Sequence, residues 1–81
     1  MKRTEDLNVP DDKQKSLRDR VDALYPKAIA ALPKDTSPSI SYFREGGSLI
    51  ATVTFYFAKS SDDAEFKYED GVWKRTRDWN D

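Results

Sequence analysis

Leu49-Ile50-Ala51-Thr52-Val53-Thr54-Phe55-Tyr56-Phe57 is the stretch whose reading decides the fold. It joins β-branched and aromatic residues without a glycine, proline or charge, which suits a pleated surface and predicts a strand. A segment this apolar at an open rim would recruit other chains by backbone pairing, so it is expected at the centre of a sheet with both edges covered.

The neighbouring residues supply that cover. Ser39-Ile40-Ser41-Tyr42-Phe43-Arg44 precedes it as a second predicted strand, and Glu45-Gly46-Gly47-Ser48 between them reads as a two-residue hairpin turn. That turn sets a register in which Phe43 faces Ile50, Tyr42 faces Ala51, Ser41 faces Thr52 and Ile40 faces Val53. Downstream, Lys59 to Asp63 reads as a turn, and Ala64-Glu65-Phe66-Lys67-Tyr68-Glu69 alternates as a third strand. Asp70-Gly71 is a second hairpin signal that pairs Tyr68 with Trp73 and opens a last strand, Val72 to Arg77. Cations on this strand discourage edge-to-edge association, and Pro38 is expected to blunt the opposite rim.

Upstream, Leu17, Val21, Leu24, Ala28 and Leu32 recur at helical period, with Asp11 in the position of an N-cap and Gln14 at capping-box spacing. Pro26 interrupts the stripe, so the helix is kinked or broken there. Pro33 ends it. Residues 1–10 are polar and close on Pro10, and they read as a flexible lead-in from which Leu7 and Val9 could staple onto the helix. The expected fold is α+β: residues 11–81 form a single domain in which the N-terminal helix packs on a four-stranded antiparallel β-meander.

One sheet face, with Ile40, Tyr42, Leu49, Ala51, Val53, Phe55 and Phe57, suits the helix. The reverse face carries Phe43, Ile50, Thr52, Thr54 and Tyr56 among Ser39 and Ser41. Phe43 and Ile50 form one apolar spot in a hydroxyl-rich surround, which is how a contact surface is built. The competing reading is cover within the monomer, by Leu7 and Val9 or by Trp79.

The sequence of 81 residues has neither cysteine nor histidine, which removes disulfides, thiolate and imidazole metal sites, and nucleophiles activated by histidine. No cofactor or metal is expected. Asp62, Asp63, Glu65, Glu69 and Asp70 could pair for acid–base work, but all fall in turns or on the outward side of a strand, so the expectation is a protein without enzymatic activity. Lys67, Lys74, Arg75, Arg77 and Trp79 interleave cations with aromatics as single-strand nucleic-acid binders do. With 14 basic against 15 acidic residues there is no global field to support such binding, so it ranks second.

No apolar run is long enough to cross a bilayer as a helix, and the first twelve residues hold no secretory h-region, so the expected location is cytoplasmic. The leading expectation is a small binding protein of inhibitor or adaptor type, of the kind phages and mobile elements encode. Its partner would be another protein or a second copy in a homodimer. The contact residues would be Phe43, Ile50, Thr52, Thr54, Tyr56 and Trp79.

Overall fold

A computed structural model describes residues 2–78. Within them the chain runs β1 (Arg3–Glu5), α1 (Asp11–Leu24), α2 (Pro26–Ala30), β2 (Ser39–Glu45), β3 (Ser48–Tyr56), β4 (Ser61–Glu69) and β5 (Val72–Arg77). The strands form one antiparallel sheet in the order β1-β2-β3-β4-β5, with β3 at its centre. The α+β class is as the sequence predicts, and the strand count is five, not four. The additional strand comes from the N-terminal segment, where Arg3, Thr4 and Glu5 pair with Glu45, Arg44 and Phe43.

Both hairpins follow from their turn residues. Gly46 and Gly47 take φ of 58° and 82°, and Glu45 lies opposite Ser48, with Phe43 opposite Ile50. Asp70 and Gly71 take 56° and 80°, and Tyr68 meets Trp73. Positive φ at both central positions matches the turn twist to that of the strands. β4 begins at Ser61, earlier than Ala64, because the β3–β4 turn is short and closed by Phe57 N–H donating to the Ser60 carbonyl at 2.8 Å.

The helix divides at Pro26. Tyr25 leaves helical geometry at φ −129° and ψ 48°, as the residue before a proline is driven to do, and Pro26 opens α2. The start of α1 differs from the expected capping box. Pro10 occupies the cap and Asp11 lies inside the first turn, where with Asp12 it faces the positive end of the helix dipole. The Gln14 side chain donates instead to the Val9 carbonyl at 2.8 Å.

Leu17 and Val21 point from α1 into the sheet and join Val9 and Tyr25 over Ala51, Val53, Phe55, Phe66 and Trp73. Leu17, Val53, Phe55 and Phe66 have no exposed surface, and each large side chain so buried contributes about 1.5–3 kcal/mol relative to an exposed one. Leu7, the other half of the expected staple, is 81% exposed. Among the described residues no helix is long and apolar enough to cross a membrane.

Candidate functional site

The sheet face away from the helices is built in rows by the registers. Phe43, Ile50, Lys67 and Lys74 form one row; Ser41, Thr52 and Glu65 the next; Ser39, Thr54 and Asp63 the next; Tyr56 and Ser61 the last. The rows divide into two halves of different character.

In the first half the apolar spot is already covered. Arg3 lies across it, with its Cζ 5.5 Å from the centre of the Phe43 ring. Its Nε donates to Glu45 Oε2 at 3.0 Å and its Nη2 to Glu65 Oε1 at 3.1 Å. The arginine stem is apolar while its head stays solvated, so one side chain can roof hydrophobic surface that its neighbours leave open. Ile50 is 7% exposed, and Phe43 is half-buried. Of the alternatives for this spot, cover by Leu7 and Val9 is not what is seen: Arg3 lies over Phe43, and Val9 is used in the core on the opposite side.

Among the described residues the second half stays open. Tyr56 is 61% exposed, Thr52 and Thr54 are half-buried, and no charged side chain of β2 or β3 falls among Ser39, Ser41, Thr52, Thr54 and Tyr56. Asp63 and Glu65 of β4 border this strip. Trp79, the remaining expected contact residue, lies outside the described residues.

The cations of the alternative site come together on β5 and its neighbour, but each is matched by an acid. Lys67 and Lys74 both reach Glu69, at 3.4 and 3.2 Å, and Lys74 also approaches Asp70. Arg77 pairs with Glu65 at 3.5 Å and Arg75 with Asp78 at 3.1 Å. The lysines hold the Glu69 carboxyl below its ordinary value, chiefly through the hydrogen bond from Lys74, and Glu69 in turn raises Lys74.

Arg75 belongs to a small polar cluster that the residue pattern did not reveal. Its Nη1 donates to the Tyr25 hydroxyl oxygen at 3.3 Å, and that hydroxyl donates to Asp78, a buried carboxylate, at 3.4 Å. Burial pushes the Tyr25 phenol up, opposed by the bond from Arg75. The helix break places Tyr25 here, so Pro26 was the only signal in the sequence.

The acids of β4 and its turns do not converge. Glu65 and Glu69 are engaged by cations, and no group of acids among the described residues is arranged to hold a metal ion. No buried side-chain polar atom among them lacks a partner. Two grooves open to solvent flank α1: about 520 Å³ between α1 and β5 beside Val72 and Trp73, and about 400 Å³ between α1 and the approach to β2 beside Arg18, Pro38 and Ile40.

Comparison of the chain with protein-family models, with curated proteins and with solved structures finds no match.

Proposed function

We propose that the chain is a small, non-catalytic binding protein of inhibitor or adaptor type that works in the cytoplasm and docks a protein partner on the open half of its outer sheet face. The observation that carries this reading is the exposed Tyr56 ring amid Ser39, Thr54 and Ser61, beside Asp63. A rigid aromatic with a polar tip, set among hydroxyls on paired strands, provides contact area at little cost in side-chain order. The non-catalytic reading is supported by Glu65 and Glu69, held in ion pairs rather than aimed into a cavity.

The test places a photo-crosslinking residue at Tyr56 and, as a control, at Lys34 in the loop before β2. One partner captured from the native host at position 56, absent at position 34 and lost on adding Thr54→Arg, is the expected result. Equal capture at both positions would remove the reading.

Nucleic-acid binding by Lys67, Lys74, Arg75 and Arg77 is the weaker alternative, because ion pairs to Glu65, Glu69 and Asp78 already oppose the positive field it needs. A gel shift at low salt should show no complex with single-stranded DNA or RNA.

A further inference from the structure

The β1 rim carries a charge pattern that the sheet-face reading does not use. In Lys2-Arg3-Thr4-Glu5-Asp6 cations precede Thr4 and acids follow it, so the stretch complements itself when reversed. The backbone determines which groups face outward. Asp6 N–H donates to the Tyr42 carbonyl at 2.9 Å, and along an antiparallel pair residues bonded to the neighbour alternate with residues that are not. Asp6 and Thr4 therefore turn their backbone groups toward β2, and Arg3 and Glu5 turn theirs to the open rim. An unpaired row of this kind is a template for another strand.

We propose that β1 pairs with β1 of a second copy of this chain, antiparallel about a two-fold axis at Thr4, so that one sheet runs through both copies. The outward groups restrict the register. Arg3 can bond to the partner's Arg3, Glu5 can bond to the partner's Glu5, or Arg3 and Glu5 can bond to each other across the axis. The first two set like charges directly opposite, which destabilises a strand pair; the third sets unlike charges opposite and brings Lys2 to the partner's Asp6. Glu5 and Lys2 are exposed and have no ion pair among the described residues of their own chain, so both are free to take this role. The β5 rim has no such complement. Lys74, Arg75 and Arg77 there would meet their own kind, and a β1-to-β5 contact would be head-to-tail and need not close. The paired rim is short, so the dimer is weak, reversible and weakened by salt.

Sedimentation equilibrium of the untagged full chain over a range of concentrations, with backbone amide exchange followed by NMR, tests this. A monomer–dimer equilibrium is expected in which the Arg3 and Glu5 amides gain protection as concentration rises, while the Asp6 amide is protected throughout. Glu5→Arg and Arg3→Glu should each abolish self-association. Their equimolar mixture should restore a heterodimer, since every opposed pair is then of unlike charge. Should Arg3→Glu not fold, Glu5→Arg and the amide readout decide alone. A monomer at every concentration, a dimer that leaves the Arg3 and Glu5 amides unprotected, a dimer unaffected by Glu5→Arg, or open-ended oligomers would each overturn the proposal. Tyr56→Asp should leave this dimer intact, which separates its failure from failure of the sheet-face reading.

Discussion

The two outer strands of the sheet are fastened by different forces. β5 is held by a core side chain: Trp73 is 2% exposed, its Nε1 donates to the Lys13 carbonyl of α1 at 2.9 Å, and its ring stands 5.1 Å from that of Tyr68 at 66°. β1 has no buried residue at all. Its attachment is the backbone ladder to β2, the Arg3 ion pairs, and Asp6, whose carboxylate accepts Arg44 Nε at 2.9 Å. One rim adds to its ion pairs an apolar anchor, which salt and pH leave nearly untouched. The other is tied by charges, which both conditions loosen.

The largest effect expected from this contrast follows removal of the β5 anchor. Trp73→Ala empties the space between α1 and the sheet and removes the indole hydrogen bond to the Lys13 carbonyl, at a cost of about 3–5 kcal/mol, as for other buried aromatic truncations. A domain of this size holds roughly 5–15 kcal/mol in all, so urea unfolding followed by circular dichroism should shift far toward lower denaturant or lose its cooperativity. A shift too small to detect would mean that β5 does not depend on its tryptophan.

At the β1 rim the counterpart is Arg3→Ala, with a smaller and more local effect. The urea midpoint should fall slightly, because exposed ion pairs contribute little to global stability. Exchange of the Asp6 amide with solvent should quicken, and Phe43 should become more accessible as its cover is lost. High salt should loosen the same amide in the unmodified chain without reaching Lys74 or Arg75 of β5. If Arg3→Ala shifted unfolding as far as Trp73→Ala, the two rims would not be tied by different forces.

The same contrast marks what the residue pattern disclosed. Gly46-Gly47 and Asp70-Gly71 admit one tight turn each, so the registers of both hairpins could be written down residue by residue, and Pro26 marked the place of a kink or break, which the structure resolves as a break at Tyr25. β1 was invisible because Lys2-Arg3-Thr4-Glu5-Asp6 holds no apolar residue, and strand reading depends on apolar alternation. Its pairing is specified by long-range charge, from Arg3 to Glu45 and Glu65, which no local window contains. For the same reason Phe43 and Ile50 read as an open patch, whereas among the described residues it is Tyr56, at the other end of that face, that stands exposed.

Acid should separate the rims with the least perturbation. The Asn8 N–H at 2.9 Å from Asp6 Oδ1, and then Arg44, favour the ionised Asp6 carboxyl and hold it below its ordinary value. A carboxyl whose folded value is depressed adds stability that is fully present above its unfolded value of about 4 and is lost as pH falls through the folded one. Glu69 on the β4–β5 hairpin is lowered in the same sense by Lys74 and Lys67, so both rims lose an ionic contribution in acid. Only β5 has an apolar anchor to fall back on. As pH is taken down below the carboxylate range, the Asp6 and Asn8 amides should therefore begin to exchange while those of Trp73 and Lys74 stay protected. Asp6→Asn should bring the β1 loosening to neutral pH, since an amide oxygen can still accept from Asn8 but no longer pairs with the Arg44 charge. Were the two rims to open together in acid, Trp73 would not be what distinguishes them.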